Sequence, residues 1–381
     1  MRMENKEFNK LFDHERRDKA KKYHKQKNRY FLLNNLVKIL LVIIFFYYNF
    51  ETKLFKTLDF NIWYTLKIFI YISIVLLIYQ IFVNILEYYT TYQLRIKYNL
   101  TAQNAKEWLM DNIKSFMLTI LLTFIFSSLF ILLQNTFPEN WWIIIAIVLS
   151  IFVVLLNYLL PIIVLPIFYK LKPYPKGELK NSLMKTFDKL KIEIEDIYEI
   201  NLSSKMTSAN AAVIGMGNTR KILLSDNLAD RFSFEEIEAI LCHEIGHHIN
   251  NDIYKNLLLQ PIIITITAYI VKQSWPSLIN LFGYQNIDAI ISLPLLLIFW
   301  GIIYSLFTPL QLYLSRIYER KADRFSFEVI DDPMELGRAF AKLADDSLSR
   351  LEFRWWEKLY KASHPSIKAR IEKAKEFKDK H

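Results

Sequence analysis

Two histidines and a glutamate near the middle of the chain have the spacing of a hydrolytic metal site. His243 and His247 lie four residues apart in the segment His-Glu-Ile-Gly-His, and Glu244 follows the first of them. On an α-helix, residues i and i+4 lie one turn apart on one face, so both imidazoles can bind one ion. Glu244 would lie beside that ion, where a carboxylate can take a proton from water. The alternative, surface histidines on a polar helix, is the less favoured one.

A third ligand is expected, because a catalytic zinc ion generally has three protein ligands and one open position. The best candidate is Glu319, which begins a helical pattern directly after the last hydrophobic segment. Asp323, one turn later, is placed to accept a hydrogen bond from a ligating imidazole. On spacing alone these two acids would more often be a solvated helix face, and the need for a third ligand favours the metal site. His248 is turned about 100° away from His247 around the helix and is not taken as a ligand.

The helix that carries the two histidines has a clear start signal. Ser233 and Glu236 form a capping box, which predicts a helix from there to about Asn250. The preceding region has mixed charge, with an amphipathic helical pattern over 177–191. It also has three strand-like segments, which are Ile197–Leu202, Ala209–Ile214 and Lys221–Ser225. The sequence therefore predicts an inserted α+β domain with a short antiparallel sheet.

Long apolar segments on both sides of this domain predict membrane helices. Of the 381 residues 53% are hydrophobic, and a bilayer core requires about 20 mostly apolar residues in a helix. Six candidates are found: Leu32–Phe50, Ile68–Leu86, Phe116–Leu133, Trp141–Phe168, Leu257–Val271 and Ala289–Leu310. Buried core helices of a soluble protein are the alternative, which is disfavoured because few soluble folds need several helices that are apolar on every face.

The distribution of charge predicts the orientation of these spans. The chain carries 48 Lys and Arg against 38 Asp and Glu, a net charge of +10, and its mean hydropathy of +0.16 argues against a nucleic-acid binder. The first thirty residues hold eleven of the basic residues and five acids. Because cytoplasmic loops are enriched in Lys and Arg, both termini and the metal site are expected on the cytoplasmic side. Two crossings separate His247 from Glu319, which returns both to one face.

These patterns divide the chain into five parts. The expected divisions are a basic cytoplasmic tail over 1–30, a four-span membrane domain over 31–169, a catalytic domain over 170–255, two further spans over 256–314, and C-terminal catalytic helices over 315–381.

The motifs resemble those of a known family, the integral-membrane zinc endopeptidases typified by the type I CAAX prenyl protease, with the bacterial heat-shock protease HtpX as a more distant relative. The two metal motifs match, as do Asn210 and Ala211 in a Ser-Ala-Asn-Ala segment, and His364 and Arg370 near the C-terminus. The stretch Leu94–Lys114 is similar to the CAAX branch, and Pro161–Phe168 to the end of the last N-terminal span. The resemblance implies that Asn210 and Ala211 bind the substrate backbone and that His364 and Arg370 stabilise the oxyanion.

The expected protein is mostly α, a polytopic bundle of about six spans with an inserted zincin-like (gluzincin) α+β catalytic domain. We expect it to hydrolyse peptide bonds with one Zn²⁺ per chain, held by His243, His247 and Glu319, with Glu244 as general base. Its partners would be a peptide or protein substrate, lipidated or not, and membrane lipids, but no nucleic acid. Two alternatives stay open: an HtpX-like quality-control protease, and a non-catalytic zinc-binding transporter or scaffold. The family's eukaryotic members have seven spans, and six are found in this sequence.

Overall fold

A computed structural model describes residues 5–58, 63–159, 163–215, 220–284 and 289–381 of the chain. The start of the Pro161–Phe168 segment falls outside these residues. Helices dominate the fold. They are α1 (Asn5–Lys10), α2 (His14–Tyr47), α3 (Phe50–Thr57), α4 (Tyr64–Glu87), α5 (Gln93–Lys97), α6 (Ala105–Thr136), α7 (Trp141–Leu159), α8 (Leu165–Phe168), α9 (Glu178–Lys189), α10 (Phe234–Ile249), α11 (Asp252–Leu281), α12 (Ala289–Ser305), α13 (Thr308–Val329), α14 (Met334–Asp346), α15 (Trp355–Tyr360) and α16 (Ile367–Lys378).

Five helices of the described residues are long and apolar enough to cross a membrane, and six if one bent pair counts as a span. The five contain α2, α4, α6, α7 and α11, and the bent pair joins α12 to α13 at an angle of 45°. As far as the structure describes them, all six predicted segments therefore lie mainly on helices. The fifth of these spans, α11, runs from Asp252 to Leu281 and so extends beyond both ends of the predicted segment Leu257–Val271. The predicted boundary at residue 315 lies inside α13, so the helix with the third candidate ligand continues directly from the last span.

The small sheet is mixed, so the prediction of an antiparallel sheet was wrong in one pairing. Its strands are β1 (Leu171–Pro173), β2 (Asp196–Ile200), β3 (Ala211–Ile214) and β4 (Lys221–Ser225), in the order β1-β2-β4-β3. β3 and β4 form an antiparallel pair, but β4 lies between β3 and β2 and runs parallel to β2, with Ile197 opposite Ile222. The alternation of apolar residues indicates which face of a strand is buried, but it does not indicate which strand lies beside it in the sheet. Strand β3 is thus an edge strand.

The basic N-terminal segment is folded against the catalytic helices and is not a free tail. Phe8 and Phe12 are buried in the same apolar core as α10 and α14. Arg17 donates from Nη2 to the carbonyl oxygen of Ala344 at 2.6 Å and from Nη1 to that of Ser349 at 2.7 Å. A cation at this position complements the negative C-terminal end of the α14 dipole. Part of the positive charge of this segment therefore has a structural role in the catalytic domain.

The two helices that carry the predicted ligands are in very close contact. A Cβ atom added to Gly246 of α10 would lie 2.9 Å from the Cα of Ala322 and 3.1 Å from its carbonyl oxygen, both on α13. These are backbone atoms, which cannot move away as a flexible side chain would. Gly246 thus allows the close approach that brings Glu319 to the two histidines.

We expect Gly246→Ala to destabilise the protein by about 1–3 kcal/mol, the usual cost of overpacking, although alanine is the better helix former. Thermal unfolding of the detergent-solubilised protein measures this change, and the metal content should fall with it. Gly337→Ala is the matched control, because its Cβ would meet no atom closer than Met334 Cε at 3.5 Å. Equal unfolding temperatures for the two variants would contradict the prediction.

Candidate metal centre

The structure brings His243, His247 and Glu319 together at the contact between α10 and α13. One ligand atom from each lies within 4.8 Å of the other two. His243 Nε2 is 3.4 Å from Glu319 Oε2, and His247 Nε2 is 3.4 Å from Glu319 Oε1. Both Nε2 atoms thus point to the same carboxylate, as the helical spacing predicts. Two imidazole nitrogens and one carboxylate oxygen are a donor set of catalytic zinc sites.

Glu319 itself indicates that these residues fit a metal ion. Its side chain is buried, and its Oε2 atom accepts no hydrogen bond from any described residue. The nearest cation to this oxygen is Arg370 Nη2, at an ion-pair distance of 3.3 Å. A buried carboxylate oxygen without a hydrogen bond is costly, and a bound cation would remove that cost.

Each candidate imidazole ligand is oriented by a carboxylate on its other nitrogen. His243 Nδ1 lies 2.9 Å from Asp323 Oδ1, in agreement with the position expected for Asp323. His247 Nδ1 lies 3.0 Å from Asp252 Oδ2, a contact that the sequence analysis missed. Asp252 follows Asn251, whose left-handed backbone separates α10 from α11. Five residues along one continuous helix would turn Asp252 away from His247, so the spacing alone gave no signal for this contact. Such partners fix the orientation of an imidazole ligand and raise its basicity.

Burial and these contacts change the pKa values of the α10 side chains. Burial raises the pKa of Glu244, while His243 and His247 oppose that shift. Burial alone would lower the pKa of His243, but the nearby carboxylates of Asp323 and Glu319 raise it to about 9. An imidazole must be neutral to bind a metal ion, so metal binding at this site displaces a proton. A glutamate with a raised pKa is suited to act as a general base near neutral pH.

His364 and Arg370 both contact the acidic residues of the site. His364 Nδ1 is 2.8 Å from Glu319 Oε1, although the rest of its side chain is exposed. Arg370 is buried, donates from Nε to Asp323 Oδ2 at 2.9 Å and lies 3.6 Å from the centre of the Phe340 ring. In this arrangement Arg370 stabilises Asp323 and Glu319, a role in addition to the oxyanion contact that the resemblance implies.

A cavity of about 460 Å³ joins these residues to the edge of the sheet. His243, Glu244, His364 and Arg370 line it together with Asn210 and Ala211 at the start of β3. The backbone of Asn210 is paired to Ser225: the Asn210 amide donates to the Ser225 hydroxyl, and the Ser225 amide donates to the Asn210 carbonyl oxygen, each at 2.9 Å. Among the described residues, β3 pairs with no strand other than β4, so no strand lies along its other edge. His248, which is not a ligand candidate, lies 3.4 Å from the carbonyl oxygen of Val213.

Comparisons with known proteins show which family the chain resembles. Residues 173–378 match the sequence profile of peptidase family M48, and residues 2–170 match that of the CAAX prenyl protease N-terminal domain with five membrane helices. The chain is 26% identical over 287 residues to an uncharacterized metalloprotease, YhfN, of Bacillus subtilis, which covers 74% of this chain and 67% of the relative. It is 28% identical over 306 residues to CAAX prenyl protease 1 of Saccharomyces cerevisiae, an alignment that covers 75% of this chain and 67% of that protein.

The fold is also similar to that of a solved structure. The crystal structure of S. mikatae Ste24p superposes with a TM-score of 0.83, covering 96% of this chain and 90% of that one at 23% sequence identity. The likeness therefore extends over the membrane helices as well as the helices around the metal centre.

Proposed function

We propose that this chain, which belongs to peptidase family M48 and is an integral-membrane metalloendopeptidase, uses zinc to cleave lipidated peptides at the site described above. The observation that carries the proposal is the convergence of His243, His247 and Glu319, with His243 and Glu244 lining a cavity that also reaches Asn210 and Ala211 at the start of the edge strand β3. The family makes its substrate a peptide or protein and disfavours the transporter or scaffold alternative.

In this proposal His243, His247 and Glu319 hold the zinc ion, with Asp323 and Asp252 fixing the two imidazoles. When bound, the ion polarises the scissile carbonyl and makes a water molecule more acidic. Glu244 takes the proton from the attacking water and then gives it to the leaving amine. The edge of β3, with Asn210 and Ala211, aligns the substrate backbone, and His364 and Arg370 stabilise the negative charge that develops on the carbonyl oxygen.

The proposed substrates are peptides with a lipid group near the C-terminus. Several relatives are named CAAX prenyl protease 1 or its homologue, among them those of rice and yeast. The site lies on helices that adjoin candidate spans, because α10 is followed directly by α11 and α13 is continuous with the last apolar segment. A lipid chain anchored in the bilayer would therefore hold its peptide near the metal centre.

We expect the purified protein to cleave a prenylated peptide at least about tenfold more efficiently than the same peptide without the prenyl group, since burying a lipid chain contributes about 0.8 kcal/mol per CH₂. Cleavage kinetics on the two peptides test the lipid preference, and the same assay with a chelator and with zinc added back tests the zinc dependence. Loss of activity with the chelator and recovery with zinc are expected. Equal cleavage of both peptides would instead favour a protease of unlipidated membrane proteins, as in the HtpX-like alternative.

The metal centre is proposed to face the cytoplasm, and the natural sequence makes this easy to test. Its only cysteine, Cys242, is buried, and burial together with Glu238 raises its pKa to about 12, so it should not react with maleimides. A single Lys22→Cys variant should react with an impermeant maleimide in inside-out vesicles only. Asn140→Cys, between α6 and α7, should react in right-side-out vesicles only. The opposite pattern would place the metal centre outside the cell.

A further inference from the structure

The cavity that contains Glu244 has a second wall, to which the N-terminal helix contributes. Lys27 and Asn28 of α2 line the same 460 Å³ cavity as His243 and Glu244, and Lys361, just after α15, lines it as well. Neither lysine belongs to the metal motifs. The helix that carries Lys27 is the one that packs on the catalytic domain before it enters the membrane. This wall is therefore part of the folded structure and not a mobile extension.

Lys361 is held against the helix that carries Lys27. Phe31 lies one helical turn after Lys27, and the Lys361 ammonium is 3.2 Å from the centre of the Phe31 ring and 4.9 Å from that of Trp356. Arg316 fixes the turn that carries Lys361 by donating to the carbonyl oxygens of Lys358 and Ala362, both at 2.7 Å. Burial lowers the pKa of Lys361. Glu357 opposes this shift, and the positive charges of Lys27 and Arg350 add to it.

The positive charge of this wall is not balanced by acids. Two other cations line the cavity, and both are paired: Arg350 donates from Nη1 to both carboxylate oxygens of Glu357, at 2.6 and 2.7 Å, and Arg370 is paired to Asp323. In the part of the chain that the structure describes, Lys27 and Lys361 form no ion pair with an acidic side chain. Two ammonium groups that repel each other are stabilised by an anion that both can contact.

We propose that Lys27 and Lys361 bind the free C-terminal carboxylate of the peptide substrate. The inference rests on the proposed peptidase function. A peptide aligned on the edge of β3 passes Glu244, and its chain ends within the same cavity if the cut lies a few residues from the C-terminus, at about 3.4 Å per extended residue. A terminal carboxylate is an anion that every unmodified substrate carries, so this subsite would select the position of the cut by its distance from the chain end.

The experiment uses two peptides that differ only in a free C-terminal acid or a C-terminal amide, each made with and without a prenyl group. For the full-length protein we expect kcat/KM to be about threefold to tenfold higher for the acid than for the amide, as for a partly screened charge pair. The ratio should fall as the salt concentration is raised. It should approach one in the double variant Lys27→Met, Lys361→Met and stay high in Lys27→Arg, Lys361→Arg.

Lys22→Met is the matched control, because Lys22 is an exposed lysine of the same helix that does not line the cavity. It should keep the wild-type ratio. Each ratio is measured on one protein preparation, so a partly unfolded variant still gives a valid result. A wild-type ratio of one, or an unchanged ratio in the double methionine variant, would overturn the proposal.

Two further outcomes are distinguished by the same peptides. If an amidated peptide with an added acidic side chain is cleaved as well as the free acid, the lysines recognise side chains and the terminal-carboxylate assignment is wrong. The prenylated and unprenylated pairs report on the proposed lipid preference independently, because the acid-to-amide ratio is taken within each pair. The data can therefore contradict the lipid preference and still support the carboxylate subsite, or contradict the subsite and still support the lipid preference.

Discussion

Glu244→Gln is expected to lower kcat for peptide cleavage by about 10²–10⁴-fold, the usual contribution of a general base. Glutamine has nearly the same shape but cannot take a proton from the attacking water. Because Glu244 is not among the three residues whose ligand atoms converge, the variant should still bind about one metal ion per chain. Steady-state kinetics and metal analysis on the same sample measure both quantities.

The control for this variant is Glu235→Gln, an exposed glutamate in the first turn of the same helix, α10. It removes one negative charge without touching the cavity, so its turnover should equal that of the wild type. If Glu244→Gln kept its turnover, the proton acceptor would have to be another group. If it lost its metal as well as its activity, Glu244 would have a structural role in the site that the geometry does not indicate.

The parts of the fold that the sequence predicted best are determined by residues that lie close together in the sequence. The start of α10 is an example, because Ser233 and Glu236 make both hydrogen bonds of the predicted capping box, at 3.3 and 2.9 Å. The position of Glu319 followed from topology and from the number of ligands that zinc requires. In each case a local pattern or a chemical requirement left few alternatives.

The features that were not predicted depend on which distant segments meet. The order of the strands, with β4 parallel to β2, is set by how the β3–β4 hairpin docks, and no alternation of side chains encodes it. The basic residues of the N-terminal segment indicated orientation, but the sequence did not show that Arg17 would contact α14 or that Lys27 would line the cavity. A count of charges gives their number and leaves their partners undetermined.

Asp252 illustrates a third kind of limit. It lies only five residues after His247, yet it belongs to the next helix. The left-handed backbone of Asn251 turns the chain so that the Asp252 carboxylate reaches Nδ1 of His247. A helical interpretation that continued past Asn250 would have turned Asp252 away from the ligand face, because five residues correspond to about 500° of rotation. The contact depends on the break between α10 and α11.

Glu319→Ala is expected to lower the metal content from about one ion per chain to nearly none, because two imidazoles alone rarely hold a catalytic zinc. Activity should be lost with the metal. The change also removes one of the two acids beside the buried Arg370, leaving Asp323 to compensate it. Metal analysis after dialysis, together with thermal unfolding of the metal-free protein, separates the loss of a ligand from the loss of the fold.

Two further variants define what Glu319 does. Asp323→Asn should keep the ligands but weaken zinc binding by about 10–100-fold, the usual effect of removing the carboxylate partner of a ligating imidazole. Glu328→Ala, an exposed change on α13 that breaks only a surface pair with Arg324, should leave metal content unchanged. Metal affinity is therefore expected to be highest in Glu328→Ala, lower in Asp323→Asn and lowest in Glu319→Ala. A wild-type stoichiometry in Glu319→Ala would remove Glu319 from the ligand set, and the third ligand would then have to be sought at Asp323 or Asp252, the other acids beside the two histidines.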